Sequence, residues 1–149
     1  MENATLAGFP CSVARTAEFR WQWFATRLHV FVFVATVEQD VGVQLAQGFT
    51  KAGVDYAKAN KRGLPIGLQT GVATISMLVS SNIDQQARSW VEQRPPRDFG
   101  AFATPVLVNS ATGERHTYTG RIVWGASYTR FLRELVNESV DAALGGRPA

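Results

Sequence analysis

LHVFVFVATV, residues 28–37, is the stretch that decides the fold class. Eight of its ten residues are apolar, and only His29 and Thr36 are polar. Valine and phenylalanine suit the pleated, packed surface of a β-sheet. Because the apolar run is continuous and does not alternate, we expect a central strand whose two faces are both covered by helices. A buried helix would also be apolar throughout, but the short length and the β-branched residues favour the strand.

The residues before this stretch divide into two segments. Residues 1–15 contain glycine, proline and many small side chains, and we expect a loose lead-in. Residues 16–27, TAEFRWQWFATR, are aromatic, and their spacing fits either a helix or a strand. We favour the helix, because Thr16 can cap it and Glu18 lies in its first turn.

After the central stretch, the pattern changes to helical spacing over residues 41–62. Asp40 is the expected N-cap, Gly63 has the position of a C-cap, and Pro65 forbids continuation. Glycines inside this helix weaken it. We therefore expect a neighbouring element that packs so closely that it leaves no room for side chains at these positions. These glycines are Gly42, Gly48 and Gly53.

The rest of the chain continues the alternation of strands and helices. Residues 71–80, GVATISMLVS, are a second continuous apolar stretch and predict a second buried strand. We therefore expect a single α/β domain over residues 1–149, with a mixed sheet of about four strands flanked by helices. The remaining predicted elements are a helix at 83–93 capped by Ser81 and Asn82, strands at 99–108 and 114–121 joined by a turn at 109–113, and a closing helix at 128–144 ended by Gly145 and Gly146.

Composition describes an ordinary globular chain. Apolar residues make up 46% and charged residues 18% of the 149 residues, and the formal net charge is +3. The longest apolar run is far shorter than the roughly 20 residues that span a bilayer, so we expect no membrane partner. The first residues lack the basic and apolar regions of a signal peptide. Cys11 is the only cysteine, which excludes an intrachain disulfide and favours a cytoplasmic protein.

The predicted order of elements, β-α-β-α-β-β-α, is the order of the thioredoxin fold. Thr104-Pro105 resembles the proline at the start of the third strand in that family, where the bond is cis. Residues 111–114 resemble its hairpin turn, Gly120 the glycine near the end of its fourth strand, and residues 131–132 its closing helix. The resemblance implies a thioredoxin-like sheet, to which the aromatic N-terminal segment is an addition, and it identifies no closer family.

The resemblance does not extend to redox chemistry. Redox members of the family have Cys-x-x-Cys between the first strand and the first helix, where this chain has EQDVG, residues 38–42. Thiol–disulfide exchange requires an attacking thiolate. Cys11 lies outside the matched region and has no second cysteine to pair with. A dithiol oxidoreductase is therefore excluded.

Polar residues follow both apolar strands at the point where each strand ends. In open α/β sheets, ligands bind beyond the carboxyl ends of parallel strands. Glu38 and Asp40 follow the first strand, and residues 80–82 end the second. Glu38 and Asp40 could act in general acid–base chemistry or bind a hard cation, with Asn82 beside them. The alternative is structural, with Asp40 as a helix cap and Glu38 in solvent.

The two histidines give no recognised site. His29 lies in the central apolar strand and is expected to be a core residue with one hydrogen-bond partner. His116 and Tyr118 share one face of the fourth predicted strand, where they line a pocket or face water; Tyr118 completes the set of catalytic candidates. No cysteine and histidine spacing matches a zinc site, and no motif predicts a metal or cofactor.

The first predicted helix also carries basic residues. Lys51, Lys58, Lys61 and Arg62 are the candidates for a nucleic-acid-binding surface. The chain has no block of five or more like charges, and its basic residues are scattered, so nucleic acid is not the favoured partner.

Aromatic residues before the central strand suggest a contact between chains. Trp21, Trp23 and Phe24 are residue types enriched at interfaces, so this segment either covers an edge of the protein or contacts a second subunit, and a homodimer through it is a hypothesis. Taken together, the sequence favours a non-redox binding or assembly module. A small enzyme with a polar site at the strand ends is the alternative, and nucleic-acid binding is the third interpretation.

Overall fold

A computed structural model describes residues 2–19, 27–61, 70–93, 101–120, 134, 137–138 and 140–145. Within these ranges the chain is an α/β protein with a six-stranded mixed sheet flanked by helices. The α/β class is as predicted, and the sheet is larger than the four strands expected. The elements in chain order are β1 (Glu2–Leu6), β2 (Phe9–Phe19), β3 (Arg27–Thr36), α1 (Val43–Asn60), β4 (Thr70–Ser80), α2 (Gln85–Glu92), β5 (Ala101–Asn109) and β6 (Arg115–Thr117).

The strands are ordered in space as they are in sequence, from β1 to β6. β3, β4 and β5 are mutually parallel, whereas β1–β2, β2–β3 and β5–β6 are antiparallel pairs. Each parallel step requires a helical crossover, and crossovers of this kind are right-handed. Because both steps move in the same direction across the sheet, α1 and α2 lie on the same face.

The central strands are buried on both faces, as the continuous apolar stretches predict. Phe31 and Phe33 of β3 face α1, and Tyr56 of α1 packs edge-on against their rings with centroids 6.3 and 5.5 Å away. The opposite face of β3–β5 packs against Val140, in a helical segment at residues 140–143. That segment matches the end of the predicted closing helix, and residues 128–133 of the prediction lie outside the described residues.

The N-terminal predictions are wrong. Residues 2–19 form the hairpin β1–β2 instead of a loose lead-in, and the helix expected from residue 16 is strand as far as Phe19. The turn is Ala7-Gly8, with φ of 51° and 85°, as a two-residue type I′ turn requires. Pairing of β2 with β3 from Ser12 to Phe19 overrides the local helical spacing. Residues 20–26 of the predicted helix lie outside the described residues.

Both described helices begin later than predicted. Gly42, and not Asp40, is the N-cap of α1, because Val41 is held in a β-bridge with Ile83 and cannot enter the helix. The same bridge delays α2, whose N-cap is Asp84 instead of Ser81 or Asn82. The Asp84 carboxylate accepts a hydrogen bond from the Gln86 backbone N–H.

The β5–β6 hairpin confirms the predicted turn, but β6 has three residues instead of eight. Asn109 holds the turn, since its side-chain oxygen accepts from the backbone N–H groups of Ala111 and Thr112 at 2.9 and 3.1 Å. The Thr117 hydroxyl donates to the Pro105 carbonyl at 2.9 Å, so the backbone of Pro105 faces β6. Proline has no N–H to donate, so the β5–β6 ladder stops at the pair Val106 and Thr117 and does not reach Pro105.

The thioredoxin-like arrangement is not confirmed. The sheet has six strands in sequential order within the described residues. The Thr104–Pro105 bond is trans, since none of the described peptide bonds is cis. The predicted order of helices and strands from β3 to β6 does match the structure.

The glycines of α1 give a prediction about packing. A Cβ at Gly53 would lie 2.7 Å from the Ser76 hydroxyl and 3.2 Å from the Phe33 ring, which is too close for a side chain. Gly53 therefore has the closely packed neighbour that the sequence predicts. Gly48 has open space around it. We expect Gly53→Ala to lower the free energy of unfolding by about 1–3 kcal/mol through overpacking. Gly48→Ala should instead raise it by about 0.5–1 kcal/mol, because alanine favours the helix.

Urea unfolding of both variants checks this prediction. Adding Ser76→Ala should recover part of the Gly53→Ala loss, because it removes the atom nearest the new methyl group. Equal stabilisation by the two glycine replacements would show that α1 does not pack against β4 as described.

Candidate functional site

The carboxyl ends of β3, β4 and β5 meet at one edge of the sheet, where the sequence predicts a polar site. Two loops cover this edge, at residues 37–42 after β3 and residues 81–84 after β4. In doubly wound sheets, a ligand crevice forms where the strand order reverses and the helices on either side of that point lie on opposite faces of the sheet. Here β3, β4 and β5 follow one another without a reversal, and α1 and α2 lie on one face. No crevice of this kind therefore lies between these three strands.

The structure brings two of the four catalytic candidates together. The Asn82 side-chain amide donates a hydrogen bond to the Asp40 carboxylate, and both residues are exposed. Glu38 is exposed in the same loop as Asp40. Tyr118 is not part of this group. It follows Thr117, whose partner Val106 lies three residues before the carboxyl end of β5, so Tyr118 is away from the edge where Asp40 and Asn82 meet. Asp40 and Asn82 therefore link the two loops, and their catalytic assignment stays a prediction.

Ser80 is the residue at this edge whose role the sequence did not reveal. It is 1% exposed, and its hydroxyl lies 3.1 Å from the Gln39 carbonyl and 3.2 Å from the Asn82 carbonyl, which share its proton. The same oxygen accepts from the Asn82 backbone N–H at 3.2 Å. The sequence signal was a serine at the last position of an apolar strand, which alone does not distinguish a ligand from a structural partner.

Backbone hydrogen bonds close the same edge. The Val41 N–H donates to the Asn82 carbonyl and the Asp84 N–H to the Val41 carbonyl, each at 3.0 Å. The Ser110 N–H donates to the Ser80 carbonyl at 3.0 Å, which ties the β5–β6 turn to β4. The polar groups at the strand ends thus bond largely to each other, and their arrangement holds the three loops together.

His116 forms a second polar group, between β6 and α2. Its Nδ1 lies 3.0 Å from a carboxylate oxygen of Glu92, and its side chain is 16% exposed. A carboxylate orients a histidine in this way for proton transfer or metal binding. Here Nε2 is buried, and it has no hydrogen-bond partner among the described residues.

His29 is buried on β3, as expected. The described residues include no group of three metal-ligating side chains.

The basic face of α1 is interrupted by an acid. Lys51 donates to the Asp55 carboxylate at 2.6 Å, one helical turn further along. Asp55 lies between Lys51 and Lys58 on the same stripe, so it lowers the positive potential where a phosphate backbone would bind. Lys61 is the C-cap of α1, and Arg62 lies outside the described residues.

The outer edge of β1 is a feature that the sequence prediction missed. In a hairpin with a two-residue turn, the residues flanking the turn form a hydrogen-bonded pair, and such pairs recur at every second position. Leu6 pairs with Phe9 and Ala4 with Cys11, so the backbone groups of Ala4 and Leu6 point to β2. The backbone groups of Asn3 and Thr5 therefore point away from the sheet, where no described strand pairs with them.

The two edges of the sheet are not equivalent. Within the described residues, β6 has three residues and no further strand pairs with it, so it exposes little backbone at that edge. β1 contains no proline, lysine or bulge, and its single charged residue, Glu2, is ion-paired with Arg15 at 2.9 Å. Trp21, Trp23 and Phe24, the residues expected to form a dimer contact, lie outside the described residues.

Cys11 is a buried residue in the same core cluster as Leu6 of β1. It is buried on β2 directly beside Ala4. Burial raises the pKa of the Cys11 thiol above its ordinary value, and backbone hydrogen bonds from Ala4 and Leu6 offset only part of that effect.

Comparison with known proteins gives no relative: no family model, curated protein or solved structure matches this chain. No helix in the described ranges is both long enough and apolar enough to cross a membrane. The function is therefore inferred from the geometry of the described residues.

Ser80 and Ser81 form a matched pair for testing the strand-end network. We expect Ser80→Ala to lower the free energy of unfolding by about 1–3 kcal/mol, because it removes the buried hydroxyl that hydrogen-bonds the Gln39 carbonyl and the backbone of Asn82 and so joins the two loops. Ser81 is exposed, and Ser81→Ala should change stability by less than about 0.5 kcal/mol. Urea denaturation checks both values, and equal stability of the two variants would contradict the network.

Cys11 should react slowly with alkylating agents in the folded protein. The reactive species is the thiolate, and a raised pKa in the folded state makes it scarcer than in the unfolded chain at the same pH. The labelling rate should rise with pH and should increase strongly in denaturant. Mass spectrometry of iodoacetamide-treated protein measures both rates; a folded-state rate equal to the denatured rate at neutral pH would contradict the burial of Cys11.

Proposed function

We propose that this chain is a non-redox binding or assembly module that pairs an extended segment of a partner chain with the outer edge of β1. The observation that carries the proposal is the outward direction of the Asn3 and Thr5 backbone groups on an edge that has no described partner. Addition of a strand to such an edge is a common mode of recognition, in which main-chain hydrogen bonds supply affinity.

The packing beneath β1 supports this proposal. Leu6 is 4% exposed and joins the core cluster that includes Cys11 and Val13, so one face of the hairpin is fixed against the body of the protein. A partner strand would therefore meet an ordered edge. Ordering a flexible segment on binding would consume part of the interaction energy, and here only the partner has to be ordered.

The absence of a cysteine pair supports a role without redox chemistry. The chain contains a single cysteine, and residues 38–42 have no sulfur at the position where thioredoxin-like redox proteins have their cysteines. A distant thioredoxin-like origin remains part of this proposal, because a thioredoxin-like protein without thiols at that position would act by binding. A cytoplasmic location is also part of it.

A small enzyme with its site at the strand ends is the second candidate. The hydrogen bond between Asn82 and Asp40 favours it, because it places a carboxylate and an amide side by side at an exposed position. The bonds that tie these loops together fit a structural role equally well, so the edge of β1 carries the stronger proposal. Nucleic-acid binding through α1 is disfavoured by Asp55 within the basic stripe.

Thr5 provides a test of the β1 edge. Thr5→Pro removes an outward N–H and places a ring on the edge, where proline is tolerated because no described strand pairs with that N–H. Thr5→Val keeps the N–H and the β-branched side chain, so it is the matched control. We expect tagged wild-type protein and Thr5→Val purified from source cells to retain a bound chain, and Thr5→Pro to lose it.

Native mass spectrometry gives the mass of each complex, and peptide sequencing identifies the bound chain. Urea unfolding should place both variants within about 1 kcal/mol of the wild type, which separates lost binding from lost folding. The proposal is wrong if the wild type carries no second chain, or if Thr5→Pro retains it to the same extent as Thr5→Val.

A further inference from the structure

We infer that the strand added to β1 is β1 of a second copy of this chain, antiparallel and related by a two-fold axis through the Ala4 pair. This inference rests on the proposed function and specifies its partner and register. A two-fold contact requires that the same surface be complementary to itself. Two properties of β1, its length and the direction of its backbone groups, meet this requirement together.

Length alone selects the register. β1 has five residues, Glu2–Leu6, and its middle residue is Ala4. When two such strands run antiparallel with Ala4 opposite Ala4, Asn3 lies opposite Thr5 and Glu2 opposite Leu6. Every residue of β1 is then paired. A shift towards the turn would place Ala7, whose φ of 51° is incompatible with a strand, opposite a residue of the second copy.

The direction of the backbone groups agrees with the same register. The outward N–H and C=O groups belong to Asn3 and Thr5, so a hydrogen-bonded pair must join residues from this set. With Ala4 on the axis, Asn3 of each copy is opposite Thr5 of the other, and each of these two pairs forms two hydrogen bonds. Ala4 then occupies a non-hydrogen-bonded position, where side chains approach most closely and a small residue fits.

The side chains of β1 are also compatible with a second copy. Asn3 and Thr5 are exposed polar residues on the same face, and opposite each other they can hydrogen-bond across the junction. Glu2, the one charged residue of the strand, lies opposite Leu6 and is already ion-paired with Arg15 of its own chain. Self-pairing therefore brings no like charges directly opposite each other, which would destabilise the contact.

A cysteine at position 4 tests the inferred register. In a non-hydrogen-bonded antiparallel pair the Cα atoms are about 4.5 Å apart, within the range that a disulfide spans. Because Ala4 is also opposite Cys11 within the chain, Ala4→Cys is made together with Cys11→Ala, which prevents an internal disulfide. Cys11→Val replaces Cys11→Ala if the latter does not fold, since valine restores the buried volume.

The matched control is Asn3→Cys in the same background. Position 3 of one copy is offset by two residues from position 3 of the other, which separates these Cα atoms by about 8 Å, beyond disulfide range. Under mild oxidation we expect Ala4→Cys to form a covalent dimer about tenfold or more faster than Asn3→Cys. Sedimentation equilibrium of the wild type should show a concentration-dependent dimer, and Thr5→Pro should be a monomer.

The outcomes separate this inference from the proposed function. A wild-type monomer at every concentration tested overturns self-pairing; if purification from source cells still yields a different chain that Thr5→Pro loses, the proposed function stands with another partner. A wild-type dimer in which Asn3→Cys cross-links as fast as Ala4→Cys overturns the register. A dimer that Thr5→Pro leaves intact overturns the use of β1.

Discussion

Burial of β4 on both faces is the constraint on which the rest of the structure depends. Every side chain from Gly71 to Ser80 is buried, so the strand must have a neighbour on each side and a layer on each face. Because β3 and β5 are parallel to it, two crossover helices must return over the sheet, and their shared right-handed sense places α1 and α2 on one face. The other face then needs a separate cover, which the helical segment with Val140 supplies.

The sequence predicted this central part because burial on both faces leaves a direct signal. Continuous apolar stretches predicted β3 and β4 to within one residue at each end, and helical spacing predicted α1 to within two. The N-terminal hairpin leaves a weaker signal, since only one face of it is buried and its turn is Ala7-Gly8 instead of the asparagine–glycine that marks a type I′ turn. The length of β6 depends on Pro105 in a different strand, and local pattern alone does not contain that information.

The candidate site shows the same division. That Asp40 and Asn82 would meet was predictable, because both follow parallel strands that end at one edge of the sheet. The hydrogen bond between their side chains was not predictable. It depends on the β-bridge between Val41 and Ile83, which keeps these residues in extended loops where the sequence predicted the starts of two helices. Ser80 is the centre of this network, yet in sequence it is one serine at the end of an apolar strand. Sequence thus located the polar edge but not the bonds that close it.

Within the described residues β1 is the outermost strand, which follows from how the sheet grows outwards from β4. Antiparallel additions at β2 and β1 need no crossover, so no helix is generated by the connection to cover the outermost strand. On the other side, β6 is the outermost described strand, and its ladder stops at Val106 and Thr117, next to Pro105, which has no N–H to donate. An edge of five regularly paired residues, fixed from one face by Leu6 and Cys11, can accept another strand without reorganisation. The proposed partner strand would therefore meet an edge that is already ordered by this packing.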